Sequence, residues 1–289
     1  MTMAINLDAG NYSVTVTYDD NGTSITSNAT IQVISTISGN DVTKMFRNGT
    51  QYYATFVDSN GNPLPEGTEV TFNINGVMYK RMTNASGTAR LNINLINGTY
   101  IITAINPSND EMSSNTIKVL ANIVENKDIT MYFRNGTRYT VRIVGSDGKV
   151  VGAGEKVTFN INGVMYTRET DANGYAGLNI NLNPGTYIIT AIYNDCMVSN
   201  TIKVLPTLVA SDLTKKYGVA SPFRVTVLDG RGNKLVGVSV SFNINGVFYE
   251  RTSNADGIAS LNINLMAGKY IVTSSYNNCA ISNTVTVEA

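Results

Sequence analysis

Three residue types recur at spacings that could join two strands covalently. Lys44 sits in Val42-x-Lys44-x-Phe46 and Lys215 in Leu213-x-Lys215-x-Tyr217. Strand parity places each lysine on the face of its apolar neighbours, pointing inward. In the next strand the inward positions run Tyr52, Ala54, Phe56 and then Asp58, and correspondingly Phe223, Val225, Val227 and then Asp229. Near the end of the same stretches, Asn115, Ile117 and Val119 share a face, as do Asn283, Val285 and Val287. Between the two sets lies a third version with Met131, Gly145 and Asn200, in which the lysine and the aspartate are lost together. Burying an ammonium and a carboxylate is costly unless they pair or exchange a proton, and desolvation pushes their pKa values toward that exchange. A neutral amine held against a carboxamide carbon can then attack it, the protonated acid polarising the carbonyl while ammonia leaves. The product is a Lys–Asn isopeptide bond. Each residue also has an ordinary use: Asp58 can cap the Ser59-Asn60-Gly61-Asn62-Pro63 turn, Lys44 can snorkel from a strand edge, and the asparagines can bond to backbone.

The elements that would hold these residues repeat along the chain. Thr-Phe-Asn-Ile-Asn-Gly-Val-Met-Tyr at 71–79 recurs at 158–166, and a close copy occupies 241–249, so equivalent positions lie 87 and then 83 residues apart. Leu-Asn-Ile-Asn-Leu recurs at 91–95, 178–182 and 261–265. Three repeats are expected at 38–120, 121–205 and 206–289. Residues 1–37 read as the C-terminal half of a further repeat: Ile-Asn-Leu at 5–7 matches 93–95, and Ser27-Asn28 matches Ser114-Asn115. The chain therefore reads as a segment of a longer array. Within a repeat, Val70, Phe72 and Ile74 alternate with polar residues into Asn75-Gly76, a hairpin signal, and Leu91, Ile93 and Leu95 alternate likewise into Asn97-Gly98. No amphipathic helical stripe is present. Turn signals every 8–12 residues and about seven short strands per repeat predict an all-β chain of tandem immunoglobulin-like β-sandwiches, arranged as beads on a string.

Composition removes most catalytic readings. The 289 residues contain no histidine, so Ser-His-Asp triads, Cys-His pairs and His-ligated metals are excluded. Lys plus Arg equals Asp plus Glu at 21 each, so there is no long-range field to hold nucleic acid or an anionic membrane surface. No apolar run approaches the length of a membrane span. An enzyme is not expected, and neither is a cofactor or a resident metal. Asp-Ser-Asn-Gly-Asn at 58–62 has a calcium-loop cast but lacks the later glutamate of such loops.

The run Leu-Asp-Gly-Arg-Gly-Asn-Lys-Leu-Val-Gly-Val-Ser-Val-Ser-Phe at 228–242, followed by Asn-Ala-Asp-Gly-Ile-Ala at 254–259 and Ala-Gly-Lys-Tyr-Ile-Val-Thr at 267–273, resembles bacterial Ig-like repeats of the invasin and intimin type. The Asn-rich Asn-Ile-Asn-Gly-Val and Leu-Asn-Ile-Asn-Leu versions are more similar to repeats of adhesin-like surface proteins in methanogenic archaea. The resemblance covers essentially the whole chain. It implies an extracellular, cell-surface location and a stalk that presents a separate binding tip. The candidate triad also resembles that of the self-crosslinked Ig-like domains of Gram-positive pilins and adhesins. Carried over, Lys44 and Lys215 would be nucleophiles, Asn115 and Asn283 electrophiles, and Asp58 and Asp229 proton shuttles, with repeat 2 lacking the bond. The acid departs from that pattern in standing at the end of the second strand.

Cys196 and Cys279 occupy equivalent positions, one per repeat, so neither has a partner within its own domain and thiols are expected. Sequons begin at Asn11, Asn21, Asn28, Asn48, Asn84, Asn97 and Asn135; Asn48, Asn84, Asn97 and Asn135, within the complete repeats, are candidate N-glycosylation sites in an exported protein. Tyr79, Tyr100, Tyr166, Tyr187 and Tyr270 recur at fixed positions and are expected in the core or as tyrosine corners. Two functions from different classes follow. One is a monomeric structural stalk of rigid modules, spanning on the order of 100 Å for three sandwiches of ordinary strand length. The other is a module that itself binds a surface glycan or protein of a host or partner cell.

Overall fold

The computed structural model describes residues 7–20 and 22–289, so Ile5 and Asn6 of the first matched segment and the sequon at Asn21 lie outside the described residues. Among the described residues every regular element is a strand. The chain opens with β1 (Gly10–Asp20) and β2 (Thr23–Val33). Repeat 1 supplies β3 (Ile37–Gly39), β4 (Val42–Met45), β5 (Gln51–Phe56), β6 (Glu69–Ile74), β7 (Val77–Met82), β8 (Thr88–Asn92), β9 (Gly98–Ile105) and β10 (Met112–Leu120). Repeat 2 supplies β11 (Ile123–Val124), β12 (Ile129–Tyr132), β13 (Arg138–Ile143), β14 (Lys156–Ile161), β15 (Val164–Glu169), β16 (Tyr175–Asn179), β17 (Gly185–Tyr193) and β18 (Cys196–Leu205). Repeat 3 supplies β19 (Leu208–Val209), β20 (Leu213–Lys216), β21 (Pro222–Val227), β22 (Ser239–Ile244), β23 (Val247–Thr252), β24 (Ile258–Asn262), β25 (Gly268–Tyr276) and β26 (Cys279–Glu288).

Each repeat is a sandwich of a three-stranded and a five-stranded sheet. In repeat 1 the orders are β3-β5-β8 and β4-β10-β9-β6-β7, and repeats 2 and 3 reproduce both. The eighth strand, against about seven expected, comes from the first strand dividing between the sheets. β3 pairs antiparallel with β5, then the chain crosses and β4 runs parallel to β10. The fold is thus all-β, in tandem immunoglobulin-like domains. Its core is the alternation read from the sequence: Val70, Phe72 and Ile74 of β6 face Tyr52, Ala54 and Phe56 of β5, all buried. One perpendicular aromatic pair crosses the sheets at the same place each time: Tyr52–Phe72 at 5.6 Å, Tyr139–Phe159 at 5.8 Å and Phe223–Phe242 at 6.2 Å between ring centroids.

The Asn-Gly turns form as expected. Asn75 and Gly76 have φ of 52° and 82°, and Ile74 pairs directly with Val77 across a two-residue loop. A tyrosine corner closes the start of each penultimate strand: the hydroxyls of Tyr100, Tyr187 and Tyr270 donate to the carbonyls of Ile96, Asn183 and Met266. Tyr12 donates to Asp8 in the same way, marking β1 as the counterpart of β9. Among the described residues the β1–β2 hairpin has no third strand; Val16, Tyr18 and Ile25 are 57%, 62% and 63% exposed, whereas Ala104, the equivalent of Val16 in repeat 1, is fully buried. Its register corrects one detail of the repeat alignment. Ala29, not Asn28, pairs with Val14 as Asn115 pairs with Ile102.

The chain divides into two compact units. The first holds residues 1–122 with 146–148, hence the hairpin and repeat 1 with a few residues of repeat 2; the second holds 123–145 with 149–289, hence the rest of repeat 2 and repeat 3.

Candidate functional site

The lysines point inward as parity requires. Lys44 and Lys215 are only 5% and 8% exposed. Lys44 Nζ donates to the carbonyl of Ile93 at 2.7 Å and to that of Thr50 at 3.3 Å, and Lys215 Nζ donates to Ile263 at 2.7 Å. Burial holds the Lys44 pKa below the ordinary lysine value. Each ammonium therefore ties the first strand of the five-stranded sheet to the chain leaving the edge of the other sheet. Met131, the third member of the set, is buried at the same place.

The aspartates stand elsewhere. β5 ends at Phe56, so the inward parity extended to Asp58 does not continue. Asp58 instead organises its own turn, accepting from the backbone N–H of Asn60 and Asn62 at 2.8 and 2.9 Å and from Asn62 Nδ2 at 3.2 Å. Asp229 does the same with Arg231 and Asn233. Hydrogen bonds from the turn, those of Asn62 and Asn233 foremost, hold both carboxylates below the usual aspartate range. The asparagines are also apart from the lysines. Lys44 pairs with Val119 and Lys215 with Val287, each four residues beyond its asparagine on the same strand, a separation of about 13 Å at ~3.3 Å per residue. Lysine, aspartate and asparagine are not brought together in either repeat.

The structure gives the asparagines different partners. Asn115 Oδ1 accepts from the hydroxyl of Tyr52 at 2.6 Å, while its Nδ2 donates to the Gly39 carbonyl at 3.3 Å and to Asp41 Oδ1 at 3.4 Å. Asp41 Oδ1 also accepts from the backbone N–H of Thr116 at 2.7 Å. Tyr52 belongs to the three-stranded sheet, Asn115 to the five-stranded sheet, and Asp41 to the crossover between β3 and β4. The three form a polar bracket across the sandwich at the point where the first strand changes sheets. Gly39 makes room for it, since a Cβ there would collide with both the tyrosine hydroxyl and Asn115 Oδ1. Repeat 2 repeats the bracket with Tyr139 on Asn200 at 2.6 Å and Asp128 on Asn200 and Thr201. Burial, and then the charge of Asp41 or Asp128, pushes both phenols up, Tyr52 to about 12. In repeat 3, Asp212 holds Asn283 and Thr284, but Phe223 stands at the tyrosine position and Asn283 Oδ1 is buried without a partner.

Sequence reasoning passed over Asp41, Asp128 and Asp212, although all three precede the Lys/Met position by three residues in Asp-x-Thr-(Lys/Met). An acid present in every repeat, alongside an asparagine present in every repeat, was the signal. Asp58 has no counterpart in repeat 2, where the lysine is also lost, but that shared loss reflects no contact between the two.

The remaining expected sites fall as follows. Cys196 and Cys279 are fully buried, at the start of β18 and β26. Asn84 and Asn135 are exposed at turns, whereas Asn48 and Asn97 are half-buried. Asn48 Nδ2 donates to the Ser146 carbonyl at 2.9 Å, within the first unit. Tyr79 and Tyr166 depart from expectation: they lie on the edge strands β7 and β15, half-buried and 37% exposed, outside the closed core.

No family model and no curated protein matches this chain. Among solved structures, the I9–I11 tandem of titin is similar at 17% identity, covering 87% of this chain and 99% of that tandem, with a TM-score of 0.31. A Ca2+-stabilised adhesin with which an Antarctic bacterium binds ice is similar at 16% identity, covering 96% and 82%, with a TM-score of 0.22. Invasin, a bacterial integrin-binding protein, is similar at 17% identity, covering 87% of this chain and 59% of its own, with a TM-score of 0.26.

Proposed function

We propose that the chain is an extracellular spacer, a stalk segment of an adhesin-like cell-surface protein. The observation that carries this reading is the repetition of one set of mechanical ties in successive sandwiches. Each repeat runs its first strand parallel to its last, locks the crossover with an Asp–Asn contact, and closes the penultimate strand with a tyrosine corner. Modules that share one framework suit a part whose job is length. The sequence resemblance to invasin- and intimin-type repeats, and to their Asn-rich counterparts in methanogenic archaea, supports a cell-surface setting. Glycans in such a host would be carried best by Asn84, which is exposed where it opens a turn and uses its Oδ1, not its Nδ2, to accept from the N–H groups of Ser86 and Thr88.

Stiffness in this reading comes from hydrogen-bonded ties. The Lys–Asn isopeptide bond is tested by intact mass: each bond releases one ammonia, about 17 Da. With the lysines bonded to Ile93 and Ile263, the full unmodified mass is expected. A deficit of two ammonias, reduced to one by Lys44→Met, would restore the covalent clamp.

The spacer role itself is tested by displaying the chain between a surface anchor and a fluorescent tip. Duplicating or removing one repeat should move the tip by one module length, whichever repeat is chosen. A tip distance indifferent to the number of repeats would refute a spacer.

A further inference from the structure

The five-on-three construction leaves one strand of each repeat uncovered. In repeat 2, Val164, Tyr166 and Arg168 pair with Ile161, Phe159 and Val157, all core residues, and so lie on the core side of the sheet. The facing sheet ends at β16, one strand short of them. An arginine and a tyrosine thus occupy inward positions that nothing covers, over a floor that includes Ile161 and Leu178. The overhang is a groove of about 550 Å³, within the ~300–1,000 Å³ usual for ligand sites.

Its polar lining is Arg138, Tyr166, Arg168, Asn179 and Asn181, with no aspartate or glutamate. Arg138 donates to the Gly177 carbonyl at 3.2 Å and Arg168 to the Thr167 carbonyl at 2.7 Å; neither forms an ion pair among the described residues. Two guanidinium groups therefore face a common space with most of their N–H donors unspent. The amides of Asn179 and Asn181 and the hydroxyl of Tyr166 likewise make no hydrogen bond among the described residues, and all three side chains are exposed. Repeat 2 alone has this combination. Repeat 1 carries Gln51 and Arg90 where repeat 2 carries Arg138 and Gly177, and repeat 3 carries Pro222 and Ser260. Gly177 lets the Arg138 side chain lie across β16, because a Cβ there would stand 2.5 Å from Arg138 Nε and 2.8 Å from the Tyr139 carbonyl.

We propose that this groove binds a carboxylate-bearing oligosaccharide. Guanidinium groups recognise carboxylates through paired N–H donors. Side-chain amides match sugar hydroxyls, and the face of Tyr166 offers an apolar platform with a polar rim for a pyranose ring. An acidic peptide added to the sheet would bond in the plane of β15, through its unpaired backbone groups. The groups gathered here instead stand out of that plane, in the groove. The proposal adds to the spacer role without depending on it, since tip distance does not read ligand binding.

The test is calorimetric titration of the full chain with oligogalacturonate, alongside a neutral gluco-oligosaccharide and polyglutamate of similar length. Oligogalacturonate alone should bind. Arg168→Gln and Arg138→Gln, the second carrying the residue that repeat 1 has at position 51, should each weaken binding by about tenfold or more. The equivalent Arg81→Gln in repeat 1 should leave binding unchanged, with circular dichroism showing all three variants folded. Absence of oligogalacturonate binding would overturn the proposal. So would equal binding of the neutral sugar, equal binding of polyglutamate, or equal sensitivity to Arg81→Gln.

Discussion

Phe223 stands where Tyr52 and Tyr139 stand in the first two repeats, and the cost falls on Asn283. Its carbonyl oxygen is buried and unpartnered, while the equivalents in Asn115 and Asn200 each accept a phenol proton. Phe223→Tyr should therefore stabilise repeat 3 by about 1 kcal/mol, the net worth of a hydrogen bond to a buried acceptor. Ser274 is the second orphan of repeat 3: its hydroxyl is fully buried without a partner, where repeats 1 and 2 place Ala104 and Ala191. Ser274→Ala should add about 1 kcal/mol more. Urea unfolding of the chain, with the repeat 3 transition followed separately, checks both. A fall in midpoint with Phe223→Tyr would contradict the bracket, and a fall with Ser274→Ala would contradict the unpartnered hydroxyl. The same tyrosines make repeats 1 and 2 alkali-sensitive. A phenol whose pKa is raised in the folded state stabilises the fold fully below its unfolded value, and that contribution is lost as pH rises through the folded value. Between pH of about 10 and 12, repeat 1 should lose stability through Tyr52, and Tyr52→Phe should flatten that part of the pH profile. Burial of the phenol is the first cause and the Asp41 charge the second, so Asp41→Asn should narrow the window without closing it.

At the scale of elements, glycines divide into those that only shape a turn and those that also sit against backbone. Gly76 has φ of 82° with nothing near its missing side chain, so Gly76→Ala meets only the left-handed penalty, about 1 kcal/mol. Gly87 has φ of 67°, and a Cβ there would lie 2.5 Å from the Phe56 carbonyl and 3.0 Å from the Leu64 nitrogen. Gly87→Ala should cost clearly more, about 3 kcal/mol, because strand β5 and the segment after it must move. Thermal unfolding of the two variants side by side separates the cases, and equal losses would contradict the close approach. The same contrast shows what the sequence could and could not reveal. Alternation and Asn-Gly turns are local, so strands such as Val70–Ile74 and the hairpin at Asn75-Gly76 were legible from residues alone. Parity also placed Lys44 and Lys215 correctly, because both lie inside a strand. It failed at Asp58 because the strand stops two residues earlier, at Phe56, and a turn aspartate obeys the turn. Sheet membership is non-local. Neither the division of the first strand between sheets nor the uncovered inner face of β15 can be read without knowing that five strands oppose three. That is why Tyr166 was expected in the core.

Taken along its length, the chain in the spacer reading is a series of separately folded sandwiches held by non-covalent ties. With no histidine, the array lacks the side chain whose ordinary pKa lies nearest neutrality. Each repeat contains its own aromatic pair, its own tyrosine corner and a first strand paired with its own last strand, so each should unfold alone. The most direct measurement is force–extension of the single chain pulled from its two ends. Three rupture events are expected, each lengthening the chain by roughly 250 Å, the extended length of one repeat less its folded span. The repeat 3 event should come at lower force than the others and should rise with Phe223→Tyr. One cooperative rupture for the whole array would contradict separately folded modules. Steps in repeats 1 and 3 cut to a small fraction of that length would contradict the non-covalent account, because a Lys44–Asn115 or Lys215–Asn283 bond would withhold most of each repeat from extension.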